Sequence, residues 1–155
     1  GKKTFYNYIR NFGFGKKSGL SLPGESAGQL KDQGSWSSLS LASISFGHEI
    51  AVTPIQMISA LAAIANGGKL MKPHIVKALI KDGQVVEQFQ PKKIRRVISE
   101  QTSLQMIEIL RSVVKNGTGK KAALEGFVLA GKTGTAQKYN METQSYSNTE
   151  FISCI

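Results

Sequence analysis

Residues 126–137 read GFVLAGKTGTAQ, and the first eight letters satisfy G-x-x-x-x-G-K-[ST], the spacing of a phosphate-cradling loop. Such a loop needs middle residues whose backbone N–H groups turn inward. It also needs a helix that starts at the Lys-Thr pair, so that its positive end faces phosphate. Here the middle residues are Phe127, Val128, Leu129 and Ala130, which favour a strand. Thr133 is followed by Gly134 and the polar run QKYNMETQSYSN, which has no apolar helical period. A strand that begins at Phe127 and runs out through KTGT, 132–135, fits both flanks. At a sheet edge Lys132 and the hydroxyls of Thr133 and Thr135 would face one groove, since alternate residues share a face. Gly134 would leave the far side bare for close approach of a ligand backbone. One ammonium, two hydroxyls and free backbone groups suit a carboxylate-bearing peptide laid alongside as an added strand. At about 4 Å and an effective dielectric near 20, the ammonium attracts one carboxylate by roughly 4 kcal/mol before desolvation is subtracted.

Upstream of that stretch, Ser99 caps a helix with Glu100 in its first turn, Leu104, Ile107, Leu110 and Val114 on one face, and Asn116-Gly117 as its stop. Before it, IVKALIKDGQVVEQF places Asp82-Gly83 between two β-prone runs, a hairpin signal. TPIQMISALAAIANGG predicts a helix with Thr53 as cap, Pro54 at its first position and Gln56 closing a capping box. Ile55, Ile58, Leu61, Ala62 and Ala65 form its expected buried stripe, and Gly67-Gly68 its end. Residues 19–35, GLSLPGESAGQLKDQGS, have no sustained period and predict a long irregular connection. KTFYNYIRNFGFG, with Phe5, Ile9 and Phe12 at helical spacing, predicts a helix that stops at Gly13. The order helix, loop, helix, hairpin, helix, strand is that of an α+β domain.

With 155 residues, 41% of them hydrophobic, the chain has the content of one ordinary domain. Its longest nearly unbroken apolar run, Met57–Ala65, is far shorter than the roughly 20 residues of a membrane helix. A single cysteine, Cys154, excludes an internal disulfide, and with only His48 and His74 as partners no zinc spacing exists, so neither a metal nor a cofactor is expected. The net charge of +10 points to an anionic partner. Its lysines are scattered and the aromatics are not interleaved with them as in single-strand binders, which argues against nucleic acid.

Two further serine motifs fail on context. GESAG, 24–28, matches the G-x-S-x-G elbow, but Pro23 precedes it and no helix of useful length follows. SVVK, 112–115, sets Ser112 and Lys115 one turn apart, yet in the last turn of a helix, at the negative end, where an oxyanion is not stabilised.

The chain resembles the later part of the transpeptidase domain of class B penicillin-binding proteins. The resemblance lies in FYNYIRNFGFGKKSGLSLPGESAG, SLASISFGHEIAVTPIQMISALAAIANGGKLMKPHIVK, VVKNGTGKKAALEGFVLAGKTGTAQK and YSNTEFISCI, in this order and spacing. Within that class, SFG followed by VTPIQM, together with AGKTGTAQK, resembles the cell-division type more than the elongation type. It implies an α+β penicillin-binding (β-lactamase-like) fold, with an antiparallel sheet flanked by helices. The family uses S-x-x-K, S-x-N and K-[ST]-G, and only the third stands at its expected place here. Residues 1–155 are therefore expected to be a C-terminal portion of the domain, without the acylated serine. By resemblance, Lys132 joins the hydrogen-bond network around the nucleophile and draws the carboxylate of substrate or β-lactam. Thr133 and Thr135 bond that carboxylate, the Thr135 N–H supplies half the oxyanion hole, and Gly134 and Gln137 line the peptide. The implied reaction is attack by serine on a D-Ala-D-Ala stem peptide and transfer of the acyl group to a neighbouring amine. Implied partners are the remainder of the same domain and division-machinery membrane proteins. The implied location is the extracytoplasmic face of the bacterial plasma membrane, with an anchor outside these residues. Where the family usually has Gly, then Gln or Tyr, then Gly after SF, this sequence has Gly47, His48 and Glu49. Two alternatives remain: a non-catalytic peptide or β-lactam receptor of the same fold, and a serine esterase built on Ser26.

Overall fold

Phe5 and Ile9 stand one turn apart on α1 (Lys2–Asn11), which gives that helix an apolar seam. In the computed structural model, which describes residues 1–155, both side chains close on Trp36. Phe5 and Tyr6 meet the indole edge-on, with ring centroids 6.3 and 5.6 Å away, and the indole Nε1 donates to the Lys31 carbonyl at 3.0 Å. Behind Trp36 the short pair β1 (Gln29–Leu30) and β2 (Ile50–Ala51) is antiparallel, and α2 (Ser40–Ser45) adds Ile44 to this core. The expected stop at Gly13 holds: its φ is +97° and its N–H returns to the Arg10 carbonyl at 3.1 Å. Phe12, just past the helix, packs on a second core of Ala63, Leu70 and Val97. Both cores belong to one unit, Gly1–Ser103; Leu104–Ile155 form another.

Helix α3 (Pro54–Ala65) begins with the expected capping box: Gln56 N–H donates to Thr53 Oγ1 at 3.3 Å, and Thr53 N–H donates to Gln56 Oε1 at 2.9 Å. Gln56 is 3% exposed, and its Nε2 also donates to the carbonyls of Lys16 and Ala27, at 2.8 and 2.9 Å. One amide thus caps the start of the helix and ties down both sides of the irregular connection. Gly28 sits in the same knot with φ +67°; a Cβ there would fall 2.3 Å from the Ala51 carbonyl oxygen.

The expected stripe of α3 is not the buried one. Gln56, Ala60 and Ala63 are buried, whereas Ile58 and Leu61 are 63% and 44% exposed. The helix is apolar nearly all round, so its period does not select a face, and small residues take the close contact instead. The strand after α3, β3 (Lys69–Met71), pairs across the hairpin β4 (Ala78–Lys81) and β5 (Gln84–Gln88) with β6 (Lys93–Arg96). Asp82 and Gly83 turn that hairpin with φ of +52° and +78°, as the Asp-Gly signal requires. Ser99 caps α4 (Glu100–Asn116), its Oγ accepting from the Thr102 N–H at 3.0 Å, and Ser103, 1% exposed, donates to the Ile64 carbonyl.

In the second unit α4 ends at Asn116 as expected, and Val114 is buried, but Leu104 is 61% exposed. The strand expected from Phe127 starts only at Gly134. Phe127–Thr133 form no ladder, and β7 (Gly134–Asn140) pairs antiparallel with β8 (Ser145–Cys154). β-Propensity in Phe127–Leu129 becomes a strand only beside a partner, and none flanks them in this chain. They are exposed, Val128 by 76%. No helix in the chain is long and apolar enough to cross a membrane.

Two outcomes test the first unit. Gln56→Leu leaves two carbonyls and an N–H without partners and should cost about 3 kcal/mol, seen as a lower Tm of the intact protein. Unchanged melting would show that the knot does not hold. Glu25 accepts from the Ser18 hydroxyl and N–H, both at 2.5 Å, and from the Gly19 N–H at 3.2 Å. The Ser18 hydroxyl, chiefly, and these N–H groups hold its carboxyl below the ordinary value, against a smaller opposing effect of desolvation. A depressed folded pKa stabilises above the unfolded value and is lost as pH falls through the folded one. Protection of the Ser18 and Gly19 amides, corrected for intrinsic exchange, should therefore persist near neutrality and vanish only below the usual Glu range of about 4.3.

Candidate active site

Helix α4 and the turn after it set the back of the KTGT segment. Gly117 and Gly119 N–H groups both return to the Val113 carbonyl, at 3.1 and 3.0 Å, and the Gly131 N–H reaches the Leu110 carbonyl at 3.2 Å. Between those glycines Thr118 is presented to Thr133, with the two Oγ1 atoms 2.7 Å apart. Lys132 is exposed; its Nζ donates to the Thr133 carbonyl at 2.7 Å and lies 3.5 Å from Thr133 Oγ1. The ion pairs of this unit are Arg111–Glu108 and Lys138–Glu150, so the Lys132 ammonium has no carboxylate partner. An exposed cation held over a hydroxyl, with its charge unmatched, is able to attract an anion.

From Gly134 on, the ladder takes over the geometry. Thr135 lies opposite Ser153 and Gln137 opposite Phe151, so Thr135 and Gln137 share one face. The Thr135 hydroxyl is exposed and engages no partner, while Gln137 Nε2 is 3.5 Å from Asn148 Oδ1. Strand β7 pairs only with β8, which leaves its second edge open within this chain. Lys132 and Thr133 are thus in contact just before the strand, and Thr135 lies on its open margin. The expectation for Gly134 needs correction: a Cβ there would meet Cys154 Sγ at 2.8 Å, so the space over this glycine is taken by the neighbouring strand rather than left for a ligand. Lys132 does not precede a helix, which removes the phosphate-loop geometry.

Cavities lie elsewhere. One of about 310 Å³ is lined by Arg111, Val114, Lys115, Ala123, Phe127, Val128 and Leu129, and includes none of the KTGT residues. Within this chain the KTGT residues lie on an open strand margin, outside that cavity. Ser112 and Lys115 sit exposed near the C-terminal end of α4. Ser26 lies in an irregular stretch, with Gly28 N–H donating to its Oγ at 3.1 Å; no helix leaves it, so the esterase elbow is absent. His48 meets Phe46 edge-on at 5.0 Å between centroids. Beside it Glu49 has φ +56°, a left-handed conformation that costs an L-residue roughly 1–2 kcal/mol, which accounts for the glycine usual at that position in the resembled family. Its carboxylate compensates by accepting from Ser40, a hydroxyl only 1% exposed, at 2.9 Å, and by pairing with Lys31 at 3.9 Å.

Thr118 was not singled out by the sequence. Its only signal was a hydroxyl between two glycines after a helix stop, in NGTGKK.

The family model for the penicillin binding protein transpeptidase domain matches residues 1–155. Stage V sporulation protein D of Bacillus subtilis is 43% identical over 140 residues, which are 89% of this chain and 22% of that protein. A probable peptidoglycan D,D-transpeptidase FtsI of Caulobacter vibrioides is 33% identical over 99% of this chain and 25% of its own length. Among solved structures, penicillin-binding protein 3 of Mycobacterium tuberculosis complexed with ampicillin superposes with a TM-score of 0.91 at 37% identity, covering 99% of this chain and 35% of that one. The chain thus spans about a fifth to a quarter of the length of these curated relatives.

The Gly134–Cys154 approach is directly measurable. Gly134→Ala should lower the stability of the intact protein by about 1–2 kcal/mol through crowding, and adding Cys154→Ala should recover most of the loss. Additive losses in the double variant would show that Cys154 is not what requires a glycine.

Proposed function

The chain belongs to the penicillin binding protein transpeptidase domain family, and on that premise we propose that residues 132–137 form the carboxylate-holding side of a serine D,D-transpeptidase centre. The observation that carries this reading is the ammonium of Lys132, without a carboxylate partner and set beside the Thr133 hydroxyl, just before the open margin of β7 on which Thr135 lies. Residues 1–155 are on this account the C-terminal portion of the domain. The acylated serine and its S-x-x-K and S-x-N partners lie outside them.

A stem peptide ending in D-Ala-D-Ala lies alongside β7 as an extended strand, and its terminal carboxylate meets Lys132, Thr133 and Thr135. Gln137 continues the same face along the peptide. Serine attacks the penultimate carbonyl, whose oxygen becomes an anion. The Thr135 N–H supplies one of two donors to that oxyanion, and such a donor is typically worth about 3–4 kcal/mol of barrier. Collapse breaks the peptide bond, the terminal D-Ala leaves with a proton, and an amine from a neighbouring strand then takes the acyl group from the serine. A β-lactam offers its carboxylate to the same groove and is held as the acyl-enzyme; the complexes of the mycobacterial relative with ampicillin and aztreonam support this. The likeness of SFG, VTPIQM and AGKTGTAQK to the cell-division type supports a role in septal cell-wall synthesis, on the extracytoplasmic face of the plasma membrane and beside membrane proteins of the division machinery.

In the intact protein, Lys132→Ala should slow acylation by a fluorescent penicillin about 10–100-fold, the share of the roughly 4 kcal/mol attraction that survives desolvation. Ser26→Ala should leave labelling unchanged. Full labelling of the Lys132 variant, or loss of labelling in the Ser26 variant, would contradict the assignment.

A further inference from the structure

Lys132 Nζ lies 3.5 Å from Thr133 Oγ1, and Thr118 Oγ1 lies 2.7 Å from the same oxygen. An ammonium only donates, so Thr133 accepts from Lys132, and each of the two hydroxyls has a single proton to place. Two arrangements satisfy the short contact. When Thr133 donates to Thr118, its proton points away from the groove. When Thr118 donates to Thr133, the Thr133 proton is free for an incoming acceptor. A carboxylate is acceptor-only when ionised and therefore selects the second arrangement. In that state the Thr133 oxygen accepts from both Lys132 and Thr118, and a hydroxyl that accepts hydrogen bonds is a stronger donor.

The position of Thr118 is built into the turn. Its flanking glycines are both fastened to the Val113 carbonyl, and Gly119 is buried. A Cβ at Gly117 or Gly119 would stand 3.0 or 3.2 Å from that carbonyl oxygen, so the turn passes close to the helix end and leaves little room for a side chain at either position. On the other side, the Gly131 N–H on the Leu110 carbonyl fixes the approach to Lys132. A residue outside the KTGT motif is thereby held at hydrogen-bond distance from one of its hydroxyls.

We propose that Thr118 is a positioning residue for carboxylate recognition: by donating to Thr133 it directs the Thr133 hydroxyl proton toward the carboxylate of the substrate or β-lactam. This rests on the reading that Thr133 binds that carboxylate. A role confined to holding the turn would affect charged and uncharged ligands alike, whereas a proton-directing role affects only the ligand that accepts the proton.

The test compares second-order acylation rates of the intact protein by benzylpenicillin and by its methyl ester, which lacks the negative charge. The wild type should prefer the acid. Thr118→Val should lower the acid-to-ester rate ratio about fivefold to tenfold with little change in the ester rate, and Thr118→Ser, which keeps the hydroxyl, should restore the ratio. Thr118→Ala, with no branch to misfit the turn, should repeat the valine result. Thr133→Val is the control and should lower the ratio at least as far. Equal slowing of acid and ester in the Thr118 variants would overturn the proposal in favour of a purely structural residue. An unchanged ratio in those variants, with a lowered one in Thr133→Val, would overturn it and leave the site reading intact. If Thr133→Val also leaves the ratio unchanged, the carboxylate reading fails and this proposal fails with it.

Discussion

Strand β7 has two hydrogen-bonding edges, and β8 occupies one of them from Gly134 to Asn140. That single pairing fixes the alternation that places Thr135 and Gln137 on one face. It also brings the Cys154 side chain over Gly134, so that an added Cβ would force that thiol to shift. The other edge keeps its backbone groups free within this chain. A free strand edge is a template for an extended peptide, and on the proposed reading a terminal carboxylate would find its counter-charge where the ladder stops.

Lys132 and Thr133 stand just before the ladder, so side chains rather than strand pairing decide where their polar atoms lie. The ammonium bends onto the Thr133 carbonyl and hydroxyl, and Thr118 approaches the same hydroxyl from the turn after α4. Lys132 and Thr118 are exposed and Thr133 is half-buried between them, with no carboxylate among them, so the cationic charge stays available. In the first unit a comparable economy falls to Gln56, whose buried amide serves three backbone groups, one of them at its own helix start. The difference between the two is burial. Gln56 gains from a site that excludes water, whereas Lys132 stays exposed to solvent.

Features governed by neighbouring residues in the chain were legible from the sequence. The capping box at Thr53, the Asp82-Gly83 turn, the Ser99 cap and the stops at Gly13 and Gly117 follow from local backbone chemistry, and each stands where its residues predict. Features governed by distant partners were not. Helix α3 is apolar on most of its surface, so nothing in its period reveals that Ala60 and Ala63 face inward while Ile58 does not. Phe127–Leu129 have strand propensity but no strand beside them, and a ladder needs both. The KTGT residues were identified by their chemistry and their resemblance to a family motif. Thr118 escaped because a threonine between glycines resembles any turn, and only the fold shows which hydroxyl it reaches. Glu49 shows the reverse case: its odd place in a glycine-rich pattern was visible in the letters, and the positive φ supplies the reason.

The central claim is that a ligand carboxylate docks against Lys132, Thr133 and Thr135. A crystal structure of the intact protein acylated by a carboxylate-bearing β-lactam measures it most directly. The account predicts carboxylate oxygens at hydrogen-bond distance, about 2.7–3.2 Å, from the Thr133 and Thr135 hydroxyls, with Lys132 Nζ within about 4 Å. An acyl-enzyme whose carboxylate points to solvent, or to cationic groups away from β7, would contradict it.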